Sequence, residues 1–211
     1  MREIERLIAD GEAALAELFT VHRERLERFV AFRLDPRIRG RVDPADVMQE
    51  AYIQIAKRLN DYLASPTVSP FVWMRQQTHQ VLIDMQRGQF RDRRSPTREV
   101  PRGRSDGSSA TSFSIACLLV DAMQTPSQVV AQAEELEWVR KALDSMNPID
   151  REVLALRHFE QLGNADVAEI LGLSPTAASN RYVRAASRLG EIVARLNRSG
   201  GQANPTGDVA S

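Results

Sequence analysis

ADVAEILGLSPTAASNRYVRAASRL, residues Ala165 to Leu189, reads as two short helices joined through a glycine. Ala165 to Leu171 forms the first, Gly172 supplies a tight turn, and Ser174-Pro175 opens a second helix that runs to about Leu196. At such a start the serine oxygen accepts from an orphan amide, and proline at the first helical position loses no hydrogen bond. The arrangement is helix-turn-helix geometry, in which the second helix can offer its N-terminal residues to base edges in a major groove. Along that helix Arg181, Arg184, Arg188 and Arg195 are spaced as one cationic stripe, opposite an apolar stripe of Ala178, Ala185, Leu189, Ile192 and Leu196. Arginines so placed suit phosphate contacts, leaving Thr176, Ala177, Ser179 and Asn180 to face the bases, where Asn180 can pair bidentately with adenine. The plainer reading is a solvated arginine face on an ordinary helical hairpin. The glycine turn, the Ser-Pro cap and the stripe together favour DNA.

The same punctuation recurs upstream. Asp43-Pro44, Ser69-Pro70, Thr125-Pro126 and Asn147-Pro148 each place a capping residue before proline, and helical periodicity follows each pair. From Pro70 the apolar residues are Phe71, Met74, Val81, Leu82 and Met85; from Pro126 they are Val129, Ala133, Leu136, Val139, Leu143 and Met146. A helical pair covers Ile4 to Leu34, followed by a turn through Asp35-Pro36 and Gly40. No segment alternates as a strand would, so the sequence predicts an all-α chain of two small helical domains. Between Gly88 and Ser114 large apolar residues nearly vanish, which marks a linker, with an apolar island at Phe113 to Val120. The predicted division is a first domain over 1–90, a flexible linker over 91–124, a second domain over 125–197 and a disordered tail over 198–211.

Charge narrows the function. The 28 basic and 28 acidic side chains cancel, whereas a protein that grips duplex DNA unaided usually shows a strongly basic face. A partner should therefore supply part of any DNA affinity. No apolar run approaches the roughly 20 residues of a membrane span, and the N-terminus is amphipathic and acidic, so a cytoplasmic protein without membrane insertion is expected. Cys117, the one cysteine, agrees with a reducing compartment.

The N-terminal half carries its own motif, DPADVMQEAYIQIAKRL, Asp43 to Leu59. Asp43 caps, Pro44 opens, and Asp46 sits where the helix dipole favours a carboxylate. Asp46, Gln49 and Glu50 share a polar face, and Val47, Ala51, Ile55 and Leu59 an apolar one. In the next helix Trp73, Gln76 or Gln77, Gln80, Asp84 and Arg87 form a polar stripe, with Arg91, Arg93 and Arg94 just beyond. Glutamines and arginines can hold splayed bases and backbone, and an aromatic can stack on a base, although Trp73 serves equally well as a core residue.

RYVRAASRL, preceded by DVAEILGLS and LDSMNPIDREVLALRHFEQL, resembles region 4 of the extracytoplasmic-function sigma factors, and the Asp43 helix is similar to region 2 of the same family. The resemblance covers Leu18 to Leu196. It implies a factor that binds core RNA polymerase and directs it to promoters. By that match Asp46, Gln49 and Glu50 meet the clamp helices of the β′ subunit. Asn60, Asp61 and Tyr62 lie in the loop Asn60 to Ser69, where the family holds a flipped base. Trp73, Gln76, Gln77, Gln80, Arg87 and Arg91 face the minus-ten element. Gln80 stands where many members have asparagine. The helix from Pro175, through Thr176, Ala177, Ser179, Asn180, Arg181, Arg184 and Arg188, meets the minus-35 element, and the same domain meets the polymerase β flap. Core polymerase, promoter DNA and an anti-sigma protein are the implied partners; no cofactor or metal is implied.

Rival readings remain distinct. An autonomous helix-turn-helix regulator would need only the C-terminal half and would shift duplex DNA without polymerase. A polymerase adaptor would keep the N-terminal contacts and lack base readout. A nuclease would gather Asp43, Asp46, Glu50 and His79 around a metal, but the three histidines lack paired ligand spacing and no glycine-rich phosphate loop is present. The expectation is a non-enzymatic protein.

Overall fold

A computed structural model of the chain describes residues 2–92, 107–122 and 129–201. Among these residues there is no strand, in keeping with the all-α expectation. The first element, α1 (Arg2–Arg33), is two helical runs meeting at Gly11, whose φ of 52° is a conformation that glycine adopts without a Cβ penalty. Asp35 accepts from the Arg37 amide and starts a 3-10 turn, Pro36–Ile38. Then come α2 (Pro44–Lys57), α3 (Leu59–Ala64), α4 (Pro70–Asp92), α5 (Gly107–Ala122), α6 (Val129–Asp144), α7 (Pro148–Leu154), a single π-helical turn (Ala155–Phe159), α8 (Asn164–Leu171) and α9 (Pro175–Gly201). The proline punctuation acts as expected: Asp43 accepts from the Ala45 amide at 2.8 Å, and Asn147 from the Ile149 amide at 2.9 Å. Ser174 accepts from the Ala177 amide at 3.1 Å. Thr125-Pro126 lies outside the described residues, as do Arg93, Arg94 and most of the expected tail.

Helices α1, α2 and α4 form a bundle around Leu15, Leu26, Phe29, Ile55, Met74 and Leu82, all fully buried. That core does not stop at the first domain. Val153, Leu156, Leu162, Val167 and Ala168, from α7, the π turn, the connection after it and α8, are buried in the same cluster. A second core joins Val139, Leu143, Ala185, Leu189 and Ile192 to Ile115, Ala116 and Val120 of α5 and to Phe32 of α1. Part of the stretch expected to be a flexible linker is thus a helix. Its apolar island packs against α6, while its hydroxyl residues, which had read as linker, are buried and bonded: Ser112 donates to Asp144 at 2.6 Å, and Thr111 to Glu152 at 3.1 Å.

The two halves are also joined by charge. Glu160, with no exposed surface, receives Arg75 Nε and Nη2, each at 2.9 Å, and Arg33 Nε at 2.8 Å. Arg33 also pairs with Glu152 and donates to Thr111 at 2.6 Å. Burial acts to raise the Glu152 carboxyl, but the Arg33 guanidinium overrides it and holds the group below the usual carboxylate range. Beside this network Arg25 pairs with Asp166 and lies 3.5 Å over the Phe71 ring. Ser69 donates its amide and hydroxyl to Glu169 at 2.5 and 2.8 Å. The paired and hydrogen-bonded state is what makes burying these charges tolerable.

Candidate nucleic-acid interface

The helix-turn-helix is built as its sequence demands. Gly172 ends α8 with φ 62° and ψ 35°, and the Leu173 amide bonds back to the Ala168 carbonyl at 2.8 Å, closing the C-terminal turn. Asn164 at the start of α8 donates to the Pro175 carbonyl at 2.8 Å, fixing the angle between the two helices. On α9, Ala178, Ala185, Leu189, Ile192 and Leu196 are buried, as their spacing predicts. Thr176, Ser179, Asn180, Arg184 and Arg188 are exposed, and Ala177 and Arg181 are half-buried. Arg195, also exposed, has its guanidinium 4.3 Å over the Trp138 ring of α6. Val183, which the sequence reading passed over, is 65% exposed on the same face as Asn180 and Arg184. Its signal was its position three residues beyond Asn180, hidden because an apolar residue is assigned inward by default. The remaining arginines are matched by acids. Asp150 accepts from Arg181 at 2.5 Å and from Arg184 at 3.5 Å, and Glu191 accepts from Arg188 at 2.5 Å.

In the N-terminal half, Asp46 and Gln49 are exposed on α2, and the half-buried Glu50 accepts from Gln54 at 2.8 Å. Asn60, Asp61 and Tyr62 sit on the short helix α3 and not in a loop. Asn60 and Asp61 are exposed, but Tyr62 is not. Its ring stacks on Trp73, with centroids 4.3 Å apart and planes 12° from parallel, and its hydroxyl donates to the Val68 carbonyl at 2.7 Å. Burial pushes the phenol up to about 12, so it remains a donor. Trp73 is also in the core, 6% exposed. Both aromatics therefore correct the expectation of base contact: they brace the α3–α4 connection, because two flat apolar surfaces gain more from each other than from water.

The amides fare differently. Gln76 and Gln80 are exposed, and Gln77 accepts from Arg58 at 2.8 Å. Gln80 donates to Asp84 at 3.0 Å, and Arg87 is exposed at 3.8 Å from the same carboxylate. The Arg91 side chain lies outside what is described. Gln77, Gln80 and Asp84 line a cleft of about 210 Å³ between α2 and α4, whose other wall is Glu50, Gln54 and Arg58. Members of the predicted polymerase-binding and minus-ten sets thus share one cleft. Asp43, Asp46, Glu50 and His79 gather into no metal site; among the described residues no three acidic, histidine or cysteine side chains do. No helix among them is long and apolar enough to cross a membrane.

Residues 136–189 match the family described as Sigma-70, region 4. The match covers less than half of the chain and runs from α6 into α9, so it is this stretch that is similar to that family. The chain is also similar, at 19% identity and a TM-score of 0.49, to a solved structure titled "Structure of CnrH in complex with the cytosolic domain of CnrY". That alignment covers 92% of this chain and 96% of that one. No curated protein matches.

Proposed function

We propose that the chain is a sigma factor of the extracytoplasmic-function kind, which binds core RNA polymerase and directs it to promoters. The observation that carries the reading is the Sigma-70 region 4 match falling on a capped helix-turn-helix whose second helix keeps Thr176, Ser179, Asn180, Arg184 and Arg188 at its surface. In this reading α9 enters the major groove of the minus-35 element, with arginines on phosphates and Asn180 at a base edge. The amides of α4, Gln76, Gln77 and Gln80, with Arg87, Arg91, Asn60 and Asp61, meet the opened minus-ten strand. Tyr62 and Trp73 serve by holding α3 against α4. Asp46 and Gln49, whose side chains are free for a partner surface, and Glu50 beside them dock on the β′ clamp helices, while the C-terminal module reaches the β flap.

The zero net charge supports a factor that borrows affinity from polymerase. The test is run-off transcription from promoters selected out of random DNA with core enzyme plus this chain. Start-site selection should appear only when both are present. A shift of the same duplexes at moderate salt by the chain alone would replace the reading with an autonomous regulator, and transcription indifferent to the chain would end it.

A further inference from the structure

Asp150 lies in the first turn of α7, its side chain 15% exposed, with one carboxylate oxygen reaching both Arg181 and Arg184 of α9. The two guanidiniums sit one helical turn apart and share that oxygen, as they would share an oxygen of a backbone phosphate. Arg184 is still 61% exposed, so an incoming phosphate can reach it. Arg188, further along the face, is matched in the same way by Glu191. Each of these cations thus already holds an anion before DNA arrives.

We propose that Asp150 is an affinity-limiting residue, a built-in competitor that DNA phosphate must displace from Arg181 and Arg184. The inference rests on the reading of α9 as a duplex-binding helix. Phosphates are the same at every site, so the competition lowers affinity for all sequences alike, whereas contacts from Asn180 and its neighbours to base edges are untouched. A carboxylate here weakens the grip on every duplex by the same factor and leaves the ratio between sequences to the base-edge contacts, so stable binding leans on those contacts and on polymerase.

The test uses the full-length chain, alone and with core polymerase, titrated with a scrambled duplex over a salt series by fluorescence anisotropy. Asp150→Asn should bind the scrambled duplex about 3- to 10-fold more tightly at low salt, with a log–log salt slope steeper by about one to two, the worth of one or two further phosphates. Asp150→Glu, which keeps the charge, should follow the parent, and Asp150→Ser guards against a folding defect peculiar to the amide. Asp150→Asn that melts like the parent yet binds equally or more weakly, with the parent's slope, overturns the proposal. Arg181→Ala/Arg184→Ala separates the two levels. If it leaves duplex binding unchanged, the reading of α9 itself fails; if it weakens binding while Asp150→Asn is silent, only the role of Asp150 falls.

Discussion

Replacing Glu160 with glutamine removes one negative charge from a fully buried point between the two halves. In the parent, that carboxylate accepts from Arg75 at 2.9 Å through two nitrogens and from Arg33 at 2.8 Å, with no surface exposed to water. The Arg75 side chain is 7% exposed, so the change strands a guanidinium that has no route to solvent and a single amide oxygen to share with its neighbour. Breaking a buried pair by removing one member costs about 3–5 kcal/mol. For a chain of this length each kcal/mol moves the midpoint by about 2–4 °C, so the melting temperature should fall by about 6–20 °C. Circular dichroism at 222 nm would follow it. Because Val153, Leu156 and Val167 lie in the N-terminal core, the parent should melt in one transition, and the variant should begin to separate into two. Glu17→Gln, which breaks the exposed Arg6–Glu17 pair, is the control and should cost under about 1 kcal/mol. A Glu160→Gln midpoint within the control's shift would refute the account of the seam.

The seam should also be acid-sensitive. Glu152 titrates below its unfolded value, so its contribution is fully present above about pH 4.5 and is lost as pH falls through the depressed folded value; Glu152→Gln should flatten the low-pH limb of a stability profile. Gly172→Ala meets no atom within 4 Å, so its cost is backbone strain alone, about 1–2 kcal/mol, and chemical denaturation should show a lower midpoint with an unchanged m-value. Trp73→Phe should retain promoter opening in a permanganate footprint while losing stability. Opening abolished in a variant that is still well folded would restore Trp73 to the base-reading set.

What the sequence disclosed is local. Capping residues before proline located the starts of α2, α4, α7 and α9, and Gly172 located the turn, because each acts through its own backbone within three or four residues. The inward stripe of α9 was legible from its period. The errors share a different cause. Tyr62 and Trp73 lie on separate helices, and nothing in their periodicity says that each would bury the other. Thr111 and Ser112 read as linker because hydroxyls look solvated until their acceptors, Glu152 and Asp144, are known. Arg33 meets an acid 119 residues away, a pairing that no window of sequence contains. The contact of Arg195 with the ring of Trp138, on another helix, was likewise outside any local window.

The long reach of Glu160 has a consequence during synthesis. Arg33 and Arg75 leave the ribosome well before their shared carboxylate is made; at about 5–20 residues per second, the 85 residues from Arg75 to Glu160 take about 4–17 s. For that interval the nascent N-terminal helices expose two guanidiniums and the apolar floor beneath them, with no native anion to neutralise either. The half that emerges first therefore gains its buried counter-charge only when Glu160 has followed it.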